Sequence, residues 1–138
     1  WYQRRVRGMS CIFCKIIKGE IPCTKVYESE HTLAFLDISP LSNGHTVLIP
    51  KHHCEFTHQM EECCQADFMK SLVIVSQKIS NVYGEYNILN NNGPKAGQVV
   101  KHTHFHIIPK NENGLVVEWN VLDQSQKHQL KDEQALLQ

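Results

Sequence analysis

The most informative run of this chain is His102-Thr103-His104-Phe105-His106-Ile107-Ile108-Pro109. Histidine alternates with other residues over its first half, and a period of two is typical of a half-buried strand. Successive side chains of a strand point to opposite faces, so the spacing predicts that the three histidines share one face. Thr103, Phe105 and Ile107 would then face the core. Pro109 would end the strand, because it has no N–H to donate to a ladder.

A row of imidazoles costs free energy to bury unless each ring finds a partner. A neutral imidazole ligates metals, and its charge changes near neutral pH. The row therefore predicts a metal site, a catalytic site or both. A single histidine in a strand would be read only as a hydrogen-bonded polar residue.

The composition excludes several classes of protein. The 138 residues suffice for one domain with a real core. Lys plus Arg and Asp plus Glu both number 14, so a broad surface for nucleic acid or an anionic membrane is not expected. No apolar run is long enough to span a bilayer. Nucleic-acid and membrane partners are therefore not expected.

The N-terminal residues are basic and lack the apolar centre of a secretory signal. Because Met9-Ser10 resembles a natural start, residues 1–8 are expected to be a disordered or cloning-derived extension. Residues 9–138 are expected to form a single domain, in which 111–138 give the weakest pattern.

The chain contains six cysteines, and Cys63 and Cys64 are adjacent within a helical pattern. This placement does not favour a disulfide framework, so a reduced, cytoplasmic protein is expected. Cys11-x-x-Cys14 is a metal or redox candidate that requires two further ligands. His52, His53 and an end member of the histidine row are eligible. The alternative is a pair of reduced, buried thiols.

The remaining patterns predict an α+β domain with a mainly antiparallel sheet of five strands, one long helix and one short helix. Strands are predicted over residues 25–28, 32–36, 45–49 and 87–89 and over the histidine row. A short helix should end at Gly19. The long helix should be capped by Thr57, and its apolar stripe should contain Cys64, Phe68, Leu72, Val75, Ile79 and Val82.

Residues 90–98 connect the fourth strand to the histidines and are dense in Asn and Gly. Such a run is ordinarily a long hairpin connection, but its exposed N–H groups can also form an anion-binding nest. Leading directly into the histidines, it favours a phosphate site. Asp37 and His45 lie at the ends of predicted strands, where functional side chains concentrate.

Several of these runs together resemble the histidine triad (HIT) superfamily, and within it the small Hint-like branch of bacterial type with a Cys-x-x-Cys zinc site. The resemblance rests on residues 11–22, 34–40, 44–51, 90–98 and 102–108. Thr103 departs mildly from a motif that is hydrophobic at that position. The resemblance implies a homodimer in which two five-stranded sheets join across a two-fold axis.

The resemblance also implies hydrolysis of a purine nucleoside 5′-phosphoramidate or a related mixed anhydride, with release of a nucleoside monophosphate such as AMP. His104 would be the nucleophile and form a nucleotidyl-histidine intermediate. His106 and His45 would contact the phosphate oxygens and stabilise developing charge. A backbone carbonyl of the Asn/Gly loop is expected to hold the second nitrogen of His104.

The same resemblance implies a set of nucleotide-binding residues, in which Asp37 holds the ribose, Phe35 and Ile38 line the base, and the others surround the phosphate. The set is Phe35, Asp37, Ile38, Asn91, Gly97, Gln98 and Val99. Val99 stands where the branch often has Ser, so a hydroxyl contact to the phosphate or leaving group is missing here.

By the same matching of positions, the zinc ligands are Cys11, Cys14, His53 and His102. A closed, four-coordinate zinc of this kind is structural.

Three other functions are compatible with these residues. One is a dinucleoside polyphosphate hydrolase on the same fold. Another is a zinc-stabilised nucleotide-binding module without important catalysis. The third, a nucleotidyltransferase, is weaker, because the sequence offers no second substrate site.

Overall fold

A computed structural model describes residues 10–138, so the expectation for residues 1–8 lies outside the described part of the chain. The elements are α1 (Ile12–Ile17), β1 (Lys25–Glu28), β2 (Thr32–Leu36), β3 (Thr46–Pro50), a 3₁₀ turn (Thr57–Gln59), α2 (Glu62–Tyr83), β4 (Tyr86–Asn90), a second 3₁₀ turn (Pro94–Ala96), β5 (Phe105–Pro109) and α3 (Leu130–Leu137). The strands form one sheet in the order β1-β2-β3-β5-β4, and every neighbouring pair is antiparallel. The predicted α+β class and five-stranded sheet are confirmed.

The register of the sheet brings the candidate residues together. Phe35 of β2 pairs with Val47 of β3, and Val47 pairs with His106 of β5. Directly paired residues lie on the same face, so these three side chains share one face. The Asp37 N–H donates to the His45 carbonyl (2.9 Å), which continues the β2–β3 pairing past the end of the strands.

A core packs on each face of the sheet. The stripe of α2 from Cys64 to Ile79 covers one face, against Ala34, Leu48 and Ile107. On the other face, Phe13 of α1 packs against Leu33 and Phe35 of β2 and against residues of β3, which are Val47 and Ile49. Each large apolar side chain buried here contributes about 1.5–3 kcal/mol. The histidine site lies on the α1 face.

Helix α1 places the two cysteines of the Cys-x-x-Cys motif on one turn. The Cys14 N–H donates to the Cys11 sulfur (3.5 Å), so Cys11 is the N-cap. The helix ends before Gly19, whose φ of +79° is a left-handed conformation that favours glycine. The predicted short helix and its end before Gly19 are therefore confirmed.

The predicted start of the long helix is wrong. Met60 and Glu61 are extended, and α2 begins at Glu62 instead of following Thr57. The Thr57 hydroxyl donates to the side chain of Asn90 (2.6 Å) and so does not cap the helix. Val82 is 72% exposed rather than buried, because Tyr83 packs against the core at that turn in its place.

The extent of the histidine strand is also corrected. Strand β5 begins at Phe105, so His102 and His104 precede it. The backbone leaves the ladder there because the Thr103 N–H donates to the Cys54 carbonyl (2.8 Å). Pro109 is the last residue of the strand. No helix within residues 10–138 has the length and apolarity needed to cross a bilayer.

Candidate active site and metal centre

The geometry around His104 defines which of its nitrogens can react. Nδ1 lies 2.8 Å from the His102 carbonyl. A carbonyl only accepts, so Nδ1 carries the hydrogen and Nε2 keeps its lone pair. The expected acceptor in the Asn/Gly loop is therefore wrong, and the carbonyl two residues upstream takes that role. The edge of Phe13 packs on the ring at a centroid distance of 5.1 Å.

His45 and His106 form a second hydrogen-bonded unit with a defined direction. The Leu41 N–H donates to His45 Nδ1 (3.0 Å), so the hydrogen of neutral His45 is on Nε2. That N–H donates to His106 Nδ1 (2.9 Å). The hydrogen of neutral His106 is then on Nε2. A backbone amide thus determines the tautomers of two histidines in series.

The turn before β3 delivers His45 to this position. Gly44 has a φ of +87°, and a Cβ there would collide with the ring of Tyr83. Only glycine meets both conditions. The turn is tied further by the Ser42 hydroxyl, which donates to the Pro109 carbonyl (2.6 Å).

The histidines are neutral near pH 7. Burial lowers the pKa of His104, and the hydrogen bond to His102 opposes this only in part. Burial, together with the neighbouring His104 and His45, lowers the pKa of His106 to about 4. Burial also lowers the pKa of His45, which is 3% exposed, against the opposing charge of Asp37. A neutral His104 with a free Nε2 is a nucleophile across the neutral range.

Asp37, His45 and His106 bring their ligand-type atoms within 4.8 Å of one another, a spacing that a metal site also shows. The tautomer of His45 excludes that use. Its Nδ1 accepts from the Leu41 N–H, so its Nε2 must keep the hydrogen and has no lone pair for a metal. Asp37 Oδ2 lies 3.5 Å from that Nε2 and faces an N–H. His45 and His106 are a hydrogen-bonded pair, and the Asp37 carboxylate lies beside it.

Cys11, Cys14, His53 and His102 form a second cluster, and its donor set fits zinc. The His102 Nδ1 lies 3.4 Å from Cys11 Sγ and 3.6 Å from Cys14 Sγ. The two Nδ1 atoms lie 3.1 Å apart, and Cys14 Sγ is 3.3 Å from His53. Tetrahedral zinc with its usual bond lengths requires edges of about 3.5 Å for S···N and about 3.3 Å for N···N.

The surroundings of this cluster also prepare it for a cation. The His102 Nε2–H donates to the Pro50 carbonyl (2.8 Å), so its Nδ1 lone pair points into the cluster. The hydrogen bond from the Cys14 thiol lowers the pKa of Cys11. The hydrogen bond to Cys11, burial and the neighbouring thiolate raise the pKa of Cys14. A divalent cation would reverse the effect on Cys14, because it stabilises both thiolates.

The structure also decides between the two eligible histidines of the loop after β3. His53 is part of the cluster, whereas His52 lies at the surface with its Nε2 3.7 Å from Glu61. Although His52 and His53 are adjacent in sequence, the side chain of His53 enters the cluster and that of His52 lies beside Glu61. The zinc ligand set expected from the resemblance is thus the set that the fold brings together.

The residues expected to bind the nucleotide differ in exposure. Phe35 is 6% exposed and packs on Phe13 at 5.7 Å, so only its edge is available. Ile38 and Val99 are 96% and 87% exposed. Asn91 Nδ2 donates to the Gly97 carbonyl (3.4 Å). Ile38 and Val99 therefore lie at the surface, whereas Phe35 is buried.

The loop between β4 and β5 is held by the side chain of Gln98. Its Oε1 accepts from the Gly93 N–H (2.8 Å), and its Nε2 donates to the carbonyls of Glu55 (2.7 Å) and Val100 (3.1 Å). The N–H groups of Gly97 and Gln98 donate to carbonyls within the loop. These two N–H groups are therefore already used within the loop.

Sequence reasoning did not identify three groups that shape the site. Phe13 contacts the rings of both His102 and His104. The Leu41 N–H fixes the His45 tautomer, and Asn90 Nδ2 donates to the His104 carbonyl (2.9 Å). Phe13 lies inside the Cys-x-x-Cys motif, which was a usable signal. A backbone amide leaves no signal in a sequence.

A row of histidines beside a Cys₂His₂ cluster, on one face of a five-stranded antiparallel sheet, defines a distinct class of small α+β domain. A family model described as the HIT domain matches residues 18–113. This chain belongs to the HIT family.

Individual relatives resemble the chain over most of its length. An uncharacterized HIT-like protein of Methanocaldococcus jannaschii is 51% identical over 113 residues, which cover 79% of this chain and 86% of that protein. An adenosine 5′-monophosphoramidase of Schizosaccharomyces pombe is 50% identical over 113 residues, covering 80% and 84%. The crystal structure of a HIT family member from Bacillus subtilis superposes with a TM-score of 0.82 at 40% identity, covering 93% and 92%.

Proposed function

We propose that the protein hydrolyses purine nucleoside 5′-phosphoramidates through a nucleotidyl-histidine intermediate on His104. The observation that carries the proposal is the state of His104. Its Nδ1–H is held by the His102 carbonyl, its Nε2 lone pair is free, and burial keeps it neutral. The resemblance to an adenosine 5′-monophosphoramidase supports the substrate class.

The reaction divides one difficult displacement into two easier ones. His104 Nε2 attacks the α-phosphorus, the P–N bond breaks, and the amine leaves with a proton drawn from solvent. The hydrogen bond from His45 to His106 Nδ1 keeps a hydrogen on His106 Nε2. This Nε2–H donates to a phosphate oxygen as charge develops. Water then attacks the phosphorus and loses a proton to solvent, the bond between phosphorus and His104 Nε2 breaks, and the nucleoside monophosphate leaves with the lone pair returned to Nε2.

We assign the nucleotide to the surface around Asp37, whose carboxylate lies 3.5 Å from His45 Nε2. Asp37 holds the ribose hydroxyls, and the edge of Phe35 and the exposed Ile38 line the purine. Backbone N–H groups from Val99 onward receive the phosphate, and Asn91 bounds the pocket. Gln98 shapes this pocket through the loop, since its amide bonds to the backbone of Gly93, Glu55 and Val100.

In the test, the protein reacts briefly with an adenosine phosphoramidate, and the reaction is stopped by a mildly alkaline quench. Intact-protein mass spectrometry then measures the adduct, and AMP release is followed in parallel. We expect an added nucleotidyl mass that peptide mapping places on His104. Release of AMP without an adduct would mean that the second step is faster. Neither adduct nor AMP, with nucleotide still bound, would leave a nucleotide-binding module. Faster turnover of a diadenosine polyphosphate would identify a dinucleoside polyphosphate hydrolase instead.

The pH dependence follows from the lowered pKa values. A base whose pKa lies below the ordinary value of 6.5 stays unprotonated to lower pH, so activity is retained below pH 6.5. We expect kcat/KM to be level above pH 6.5 and to fall only below the ordinary histidine pKa of 6.5, as His104 becomes protonated. The measurement is initial AMP release across this range. A fall centred at or above 6.5 would contradict the burial argument.

We assign zinc to the Cys₂His₂ cluster. We also propose that the protein is located in the cytoplasm. The four ligand atoms fit tetrahedral zinc, and all six cysteines are free. Bound there, the ion would have no open position and would hold α1 to the loop after β3. Its role would be structural, and the chemistry would remain with the histidines.

We further propose a homodimer in which β4 pairs with β4 of a second copy. Strand β4 is at the edge of the sheet and so has one unpaired side. Ile88 on this strand and Met69 and Val73 on α2 are 46%, 57% and 51% exposed. Ile88→Glu would place a charge in this apolar surface, so we expect light scattering to change from a dimer to a single 15.9 kDa chain. Ile12→Glu, at a position of α1 that is 44% exposed, should remain dimeric. A monomeric parent would contradict the assignment.

A further inference from the structure

The nucleophile is held from behind by a side chain instead of a strand ladder. His104 precedes β5, and the last ladder pair joins Asn90 of β4 to Phe105. The carbonyl of His104 lies just beyond that pair and accepts from Asn90 Nδ2 (2.9 Å). The Asn90 amide thus extends the β4–β5 pairing by one residue, at the residue whose ring reacts.

Three side chains complete a closed ring of hydrogen bonds behind His104. The Thr57 hydroxyl donates to Asn90 Oδ1 (2.6 Å). Its single hydrogen is then used, so the Thr103 hydroxyl donates to Thr57 Oγ1 (2.9 Å). Thr103 Oγ1 in turn accepts from Asn90 Nδ2 (3.4 Å). Every polar atom of the ring has a partner, so the ring has one direction only.

This ring also determines the orientation of the Asn90 amide. Oδ1 accepts from Thr57 and from Asn92 Nδ2 (2.6 Å). A reversed amide would set Oδ1 against the His104 carbonyl and an NH₂ group against another NH₂ group. Thr103 is fully buried, and its hydroxyl explains why a polar residue occupies a position that is hydrophobic in the family motif.

We propose that Asn90 and Thr57 are positioning residues for the reaction, and that Thr103 closes the ring that orients them. The proposal rests on the proposed role of His104 as nucleophile. Peptide 104–105 sets where the His104 ring projects, and Asn90 fixes that peptide through its carbonyl. A displacement of about 1 Å at a reacting group can cost about 100-fold in rate. The three residues themselves do not contact the substrate.

The kinetic test compares Asn90→Ala, Thr57→Val and Thr57→Ser in the full chain, with an adenosine phosphoramidate as substrate. We expect Asn90→Ala and Thr57→Val to lower kcat by about 10- to 100-fold and to change KM by less than about threefold. Thr57→Ser keeps the hydroxyl and should retain kcat. Thr32→Val is the matched control, because it removes a fully buried threonine hydroxyl that is outside the ring and donates to Asp67 of α2 (2.7 Å).

A second readout does not depend on turnover. The ¹⁵N chemical shifts of the His104 ring report its tautomer, and we expect the pure Nδ1–H form in the parent and a mixed population in Asn90→Ala. If Asn90→Ala does not fold, the isosteric Thr103→Val supplies the same measurement. Unchanged kcat and unchanged ring shifts in these variants would overturn the proposal. A parent with no turnover would refute the proposed function, and the ring shifts would still decide whether Asn90 orients His104.

Discussion

The His104→Ala protein should bind a purine nucleotide about as tightly as the parent and lose turnover by at least about 10⁴-fold. His104 is the one histidine of the site whose Nε2 is free of a hydrogen, since the hydrogens of neutral His45 and His106 are on Nε2. Its removal deletes the attacking atom and leaves the rest of the pocket in place. AMP release measures the first effect, and calorimetric titration with AMP measures the second.

His52→Ala is the matched control for this experiment. His52 is adjacent in sequence to His53, but its side chain is 55% exposed and lies beside Glu61. It should retain the parent rate. Turnover in His104→Ala within tenfold of the parent would rule out the nucleotidyl-histidine route and favour direct attack by water.

Loss of one cysteine of the zinc cluster should have the largest effect on stability. In Cys14→Ser the cluster loses a thiolate ligand, and Cys11 and His102 remain buried beside it. Removing one partner of a buried charged cluster costs roughly 3–5 kcal/mol. For a domain of this size that corresponds to a fall of about 10–20 °C in the melting temperature. The measurements are thermal unfolding and zinc content per chain.

Cys63→Ser is the corresponding control, because Cys63 is exposed and outside the cluster. It should keep both the zinc content and the melting temperature. A parent protein with no bound zinc after purification in metal-replete medium would contradict the assignment. Equal melting temperatures for Cys14→Ser and the parent would show that the cluster does not stabilise the fold.

Local patterns were sufficient to predict most of the fold. The strands at Lys25–Glu28 and Thr32–Leu36 were predicted to the residue, because alternation and the intervening turn are encoded within a few positions. The buried stripe of α2 from Cys64 to Ile79 was predicted for the same reason. Two of the errors, at Thr57 and at the start of β5, occur where a local pattern is overridden by a distant partner. Thr57 bonds to Asn90, and Thr103 bonds to Cys54.

The sequence by itself determined the family, the sheet, and the residue types available for chemistry. Only the tertiary structure decided what state each histidine is in. The tautomer of His106 depends on His45, 61 positions away, and the Nδ1 of His102 meets Cys11 across 91 positions. A tautomer is set by the partner of the other ring nitrogen, and that partner is a matter of position in space. A run of histidines therefore predicts a site, and the folded backbone decides which ring nitrogens carry a hydrogen and which keep a lone pair.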